Sequence, residues 1–404
     1  MFILQAYNPA WAFAANMREQ AGRWHHRQFL NADQLAAIET AYPLDFYRPA
    51  WALRVGLFLI TWLSTAIASG TVALMVYSSG LHEDGAFVVG SLVFAAACLG
   101  LLEVIIRTNK TYRAGPDNVL LYAGLTALNG SILFLAGQNL PNFDAAIAPL
   151  VWAVPLLLTL LVLLAAIVRY ADPVVVLAAV VNMLLLLFVG TGGLGIALFP
   201  PFVMATAGAL LWGHRALRRR LTVAPPLAAY YANSLLMLKV TALALLYLGG
   251  NYLIVREGYA FLGSTPNLGP SPQIPLAVVF YVFTAIIPLI YIGLGLHRAD
   301  RPLLLLGLLT LAFSISTLRY YRSLLLPEVA AVLAGVFLTA LAGLGLRGLR
   351  PARFGLTAEP DDEPRHFDLE TLIQAQTAHV SGGPAGGFEF GGGQSGGGGA
   401  TGQF

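Results

Sequence analysis

The sequence is poor in charge: Asp, Glu, Lys and Arg make up 11% of its 404 residues, against roughly a quarter in an ordinary soluble protein. So few charged groups cannot cover a water-facing surface on a chain this long, which excludes a soluble globular fold. A single cysteine, Cys98, excludes internal disulfides and cysteine-rich metal clusters. The 20 acidic and 23 basic residues leave a net charge of +3, too little for a nucleic-acid reading. A phosphate-binding Walker loop, a His-Glu-x-x-His helix and a G-x-S-x-G elbow are all missing. His82-Glu83-Asp84 lacks the spacing of a metal site, and His297-x-x-Asp300 is a chance-level pairing. No internal repeat is convincing. No catalytic, cofactor-binding or metal residue is therefore expected.

What the chain does have is apolar length. Hydrophobic residues reach 57% and the mean hydropathy is +0.72. The fold class expected is all-α: a polytopic integral membrane protein whose first partner is the lipid bilayer. A spanning helix needs about 20 mostly apolar residues. Ten segments qualify: roughly 54–78, 86–106, 118–137, 147–168, 174–191, 195–213, 233–255, 275–296, 302–320 and 327–346. The fifth and sixth are joined only by the glycine-rich turn from Gly190 to Gly195, which fits a tight hairpin or a short re-entrant segment.

Arginine and lysine set the orientation. With the N-terminus cytoplasmic, the inside loops collect Arg107, Lys110, Arg113, Arg169, Arg215, Arg218–Arg220, Arg298 and Arg301, besides the basic residues at both ends. Outside fall Arg256, Arg319 and Arg322. The sign alternates loop by loop, so both termini are expected inside. Residues 1–30 lack the basic-then-apolar order of a cleaved signal peptide, and the first span is expected to direct insertion. The basic run His214–Arg220 fits topology determination and, alternatively, attraction to anionic lipid.

Three regions follow: a cytoplasmic helical head over 1–50, a membrane domain over 51–350, and a tail over 351–404. In the head, Asn31 and Gln34 have the spacing of a capping box, and Trp11, Phe13 and Trp24 are its aromatic anchors. The head reads as a packing unit resting on the first span, or as a docking module for a protein partner. In the tail, 12 of the last 29 residues are glycine. Such a segment buries too little to offset its ordering entropy, so it is expected to be disordered, with one short helix near 367–379. Its Phe388, Phe390 and Phe404 are candidate stickers for a protein partner.

Ionisable residues inside spans are costly and point to function by default. Glu103 and Lys239 lie at similar depth near the cytoplasmic ends of their spans, and Arg107 is i+4 from Glu103. Glu103, Arg107 and Lys239 form the candidate intramembrane polar site. Glu103 and Lys239 are expected to pair, as an ion-responsive centre or as a structural salt bridge. A snorkelling Lys239 is the remaining reading. At the outer face, Asn251, Tyr252, Arg256 and Glu257 cluster with Arg319, Tyr320, Tyr321, Arg322 and Glu328. They suit a shallow anion site or interface anchoring. Asn129 and Asn182 are expected to hydrogen-bond between helices, and Pro155 and Pro288 to kink the fourth and eighth spans.

Trp24, Phe29-Leu30, Gln34, Ile38 and Tyr42 in the head, Tyr112-Arg113-Ala114-Gly115-Pro116-Asp117-Asn118 after the second span, and Leu318-Arg319-Tyr320-Tyr321 before Pro327-Glu328 together resemble a family. It comprises uncharacterised bacterial multi-pass membrane proteins of the Bacteroidota type, with a short N-terminal cytoplasmic domain of unknown function. The resemblance implies an inner-membrane location and supplies no reaction or substrate. The functional expectation is a non-catalytic membrane protein acting in sensing, scaffolding or envelope maintenance. The alternative is a transporter or channel for a small solute or ion, built on Glu103 and Lys239.

Overall fold

The computed structural model describes residues 4–78, 84–139, 148–191, 196–262, 273–274 and 276–321, with a few single positions between 335 and 347. The tail and most of the expected tenth span fall outside this set, as do Arg322 and Glu328. The described residues form twelve α-helices and no strand. Two belong to the head: α1 (Pro9–His26) and α2 (Ala32–Ala41). Then come α3 (Trp51–Ser78), α4 (Asp84–Asn109), α5 (Pro116–Asn139), α6 (Ala148–Tyr170) and α7 (Pro173–Thr191). After a 3-10 turn at Ile196–Leu198 follow α8 (Phe199–Leu221), α9 (Pro225–Gly250), the short α10 (Tyr252–Leu262), α11 (Ala277–His297) and α12 (Arg301–Tyr321).

Eight of these helices are long and apolar enough to cross a membrane: α3 to α7, α9, α11 and α12. In α8 the apolar stretch is split between the 3-10 turn and the helix proper, and His214, Arg215 and Arg218–Arg220 fill its last turns. Sequential helices pack in pairs, α4 on α5, α6 on α7, α8 on α9 and α11 on α12, with α9 also touching α7 and α11.

The packing is inverted relative to a water-soluble protein. Leu, Ile, Val and Trp side chains face outward along α3, α6 and α7, including Trp62, Leu63, Leu158, Leu161 and Leu185. The interior instead takes small hydroxyls and amides: Ser131, Thr159, Asn182, Ser234, Thr284, Ser314 and Thr317 are all buried. In lipid, apolar surface gains nothing by hiding, so close backbone approach and interhelical hydrogen bonds hold the bundle. Asn182 donates to Thr159 Oγ1 at 2.6 Å, linking α7 to α6 as the sequence leads one to expect. Asn129 differs: its Oδ1 is buried without a partner among the described residues. Pro155 and Pro288 lie inside α6 and α11, which continue through them.

The head is built locally. Asn8 caps α1 ahead of Pro9, the favoured first-turn residue. The Asn31–Gln34 capping box of α2 is present in both directions, at 2.8 and 3.0 Å. Arg18 then ties the pair together by donating to the carbonyls of Glu39 and Tyr42 at the end of α2. Trp11 stacks on Phe46 and Phe13 meets Tyr42 edge-on, but Trp24 is exposed and anchors nothing in the core. The head also rests elsewhere than expected. It packs mainly on α9 rather than on the first span, because its backbone and Tyr7 find their partners in the turns before α5 and α7.

Candidate functional site

Three turns on the head's side of the bundle share one design. Each turn has an aspartate at the start of the next helix, and another element donates to it. Asp172 caps α7, accepting from the backbone N–H of Val174 and Val175 at 2.8 and 3.2 Å, and the Tyr122 hydroxyl of α5 donates to it. Asp117, in the first turn of α5, accepts from Gly115 N–H through Oδ1 and from the Tyr7 hydroxyl of the head through Oδ2 at 2.8 Å. Asp300 caps α12 weakly, at 3.4 Å from Leu303 N–H, and takes Lys239 of α9 on its other oxygen. A proline follows closely or precedes each one: Pro173, Pro116 and Pro302.

The backbone prepares these caps. Ala171 and Ala299, directly before Asp172 and Asp300, are left-handed at φ 50° and 49°. At the α11 end, Asp300 N–H reaches Gly295 O and Ala299 N–H reaches Leu296 O, which is the Schellman arrangement that satisfies a helix's last carbonyls. At the α6 end those carbonyls serve as docking points. Arg169 O accepts from Ala6 N–H and from the Tyr230 hydroxyl, Val168 O accepts from Tyr231, and Ala171 O accepts from Arg113 and Ser234. Gly115 completes the set. Its φ of 113° and the 2.6 Å separation from Arg54 O that a Cβ would have there admit no side chain.

These groups carry the perturbed acidities of the face. Burial drives the Asp172 carboxyl above its ordinary range, and the donors from Val175, Tyr122 and Val174 offset this only in part. Burial likewise pushes the Tyr7 hydroxyl well up, helped by the negative charge of Asp117. For Asp300 burial acts in the same direction, but the hydrogen bond and charge of Lys239 outweigh it and hold the carboxyl below its ordinary range.

The expected intramembrane trio divides in two. Glu103 accepts from Arg169 Nε and the Tyr170 hydroxyl, each at 2.7 Å, with Arg107 at 3.7 Å on its other oxygen. Lys239 pairs with Asp300 instead. The expected Glu103–Lys239 pair is therefore absent. Equal depth does not make helices neighbours: α4 packs on α5 and α3, whereas α9 packs on α8, α7 and α11.

Beside the Lys239–Asp300 pair the face opens into a cavity of about 760 Å³, walled by His214, Arg218, Leu235, Lys239, Arg298 and Asp300. A second depression of about 440 Å³ shares its charged wall and adds Arg215 and Arg219. Lys239 is 14 residues into α9, so about 21 Å of helix separates the start of α9 from the residue that meets the α11–α12 turn, at 1.5 Å per residue.

At the opposite end, the expected outer cluster is in part a buried knot. Asn251, fully buried, breaks the chain between α9 and α10. Its amide donates to the Tyr247 hydroxyl and to Thr317 of α12, and its Oδ1 caps α10 at Leu253 and Ile254. Tyr252 N–H donates to Thr284 of α11, and its ring stacks on Tyr281 at 3.9 Å. Arg256 lies over Tyr252 and donates to its hydroxyl at 3.2 Å. Glu257 follows on α10, while Arg319 and Tyr320 are exposed at the end of α12. Among the described residues the knot joins four helices, α9 to α12, and leaves Asn251 fully buried.

The turn aspartates and their tyrosine partners escaped sequence reasoning. The available signal was an aspartate within two residues of a proline at the start of a span, a helix-start pattern that repeats at 117, 172 and 300. Among the described residues no three His, Cys, Asp or Glu side chains converge as a metal site would require.

Together the helices and the inverted packing define a multi-pass membrane protein. Compared with protein-family models, curated proteins and solved structures, the chain matches none.

Proposed function

We propose that the chain is a non-catalytic scaffold or sensor of the bacterial inner membrane, with ten spans and both termini cytoplasmic, presenting its head at the membrane surface. The observation that carries this reading is how the intramembrane charges are used. Glu103 is spent on Arg169, Tyr170 and Arg107, and Lys239 on Asp300. Both sets sit level with turns of the head-side face, and the α6–α7 turn that serves Glu103 also holds the head through Ala6. A transport path would need polar groups continuing through the bundle towards the other side. Separate, satisfied pairs at one face favour a rigid platform over such a path.

Within that count, a crossing by α8 has geometric support. The start of α9 touches the α6–α7 turn through Tyr230, and α7 leads away from that turn, so α8 has to bring the chain back across the same thickness. Positive charge at the head-side turns supports the cytoplasmic assignment, and the family resemblance supports the bacterial one.

The test places a cysteine at mid-depth. In a Cys98→Ala background, Asn182→Cys is exposed to a membrane-impermeant thiol reagent from each side. Protection from both sides is expected. Labelling there would mean water at the centre of the bundle and would transfer the reading to transport.

A further inference from the structure

We propose that the cavity beside Lys239 and Asp300 is a phosphate-binding site, a role that goes beyond the scaffold reading and does not depend on it. The charges around it do not balance. Lys239 neutralises Asp300, and Arg218, whose charge also acts on Asp300, and Arg298 line the same wall without an ion pair of their own among the described residues. Arg215 and Arg219 add two further cations in the adjoining depression. Positive loop charge alone accounts for arginines anywhere in a cytoplasmic loop. It does not account for their meeting in a concave wall assembled from two separate turns.

His214 lines both depressions and is only 7% exposed. Lys239, 17% exposed and fixed by Asp300, contributes a held ammonium rather than a mobile one.

The chemistry selects the ligand. Two guanidinium groups and an ammonium suit a compact tetrahedral phosphate anion, because guanidinium donates two parallel hydrogen bonds to phosphate oxygens. Leu235 and Leu236 give the cavity an apolar side, and Arg218 and Arg298 give it a basic one. A lipid phosphate reaches such a site from the apolar side, and a soluble phosphate from the basic one.

The test uses the full chain in dodecyl maltoside, whose headgroup is uncharged, at constant ionic strength. Tm is followed against inorganic phosphate, with chloride as the control, and separately against added phosphatidylglycerol. The Arg218→Ala/Arg298→Ala variant is compared with Arg220→Ala/Arg23→Ala, which removes the same charge from exposed positions outside the cavity. A saturable rise in Tm is expected, with half-saturation moved at least tenfold in the cavity variant and unmoved in the control. A response to inorganic phosphate assigns a soluble ligand, and a response to phosphatidylglycerol alone assigns a lipid headgroup. No response to either probe, or equal losses in both variants, overturns the site. Should the alanine variant not elute as folded protein, Arg218→Lys/Arg298→Lys replaces it. That pair keeps the charge and loses the fork, and an unchanged half-saturation would then count against the proposal.

Discussion

Asp300 holds two donors at once, the ammonium of Lys239 and the backbone of α12 at Leu303. Its carboxyl is held below the ordinary range by Lys239 despite burial. A carboxylate depressed in the folded state contributes stability that is present above its unfolded pKa of about 3.9 and is lost as pH falls through the folded value. Asp300→Asn should therefore lower Tm at pH 7 and cost progressively less as pH falls below about 4, reaching its least only below the depressed folded value, where the native carboxyl is also neutral. A Tm deficit independent of pH would show that the cap, rather than the ion pair, carries the effect. Asp172 runs the other way: burial raises its carboxyl, so its contribution is greatest at low pH and declines as pH rises through the folded value. Both residues were open to reading as helix starts, because each stands beside a proline or one residue from it. Their partners were not. Tyr122 and Lys239 lie 50 and 61 residues away, and periodicity along a helix says nothing about which helix stands alongside.

At the scale of elements, α11 and α12 approach until backbone meets backbone. A Cβ on Gly295 would stand 2.8 Å from Leu304 N, and one on Gly307 would stand 2.9 Å from Ile292 N. Side chains swing aside, but main chain in a packed helix pair does not, so Gly295→Ala has to push the helices apart. Overpacking of this kind costs about 1–3 kcal/mol. Gly295→Ala and Gly307→Ala should each lower Tm clearly, whereas Gly293→Ala, which has open space at its Cβ, should be neutral or mildly stabilising. Equal effects at 293 and 295 would refute the close approach. The long elements themselves were legible, because a run of about 20 apolar residues has few alternatives. Their ends were less so. The span expected over 233–255 is really α9 from Pro225 to Gly250 with a break at Asn251, since Asn251 spends its side chain on Tyr247, Thr317 and the cap of α10. Composition locates the apolar slab, but the hydrogen bonds of one buried amide decide where the helix stops.

For the whole molecule, the contacts fix which turns share a side even where hydropathy is ambiguous. The head touches the α4–α5 and α6–α7 turns through Tyr7 and Ala6, and α9 reaches the α6–α7 turn through Tyr230. Head, α6–α7 turn and α8–α9 turn therefore lie on one side, and α10 lies at the far end of α9. This makes the sidedness of the chain as far as α10 accessible to labelling without any assumption about α8. In a Cys98→Ala background, single cysteines replace three exposed residues: Phe29 in the head, Val223 in the α8–α9 turn and Phe261 at the end of α10. Phe29→Cys and Val223→Cys should react only when an impermeant thiol reagent has access to the cytoplasmic side. Phe261→Cys should react from the outside in intact cells. If Phe29→Cys and Val223→Cys reacted from opposite sides, the head could not be docked on α9 as the structure has it. If all three kept this grouping with the sides exchanged, the architecture would stand and the orientation set by the arginines would fall, which would place the basic cavity, and any phosphate it binds, outside the cell.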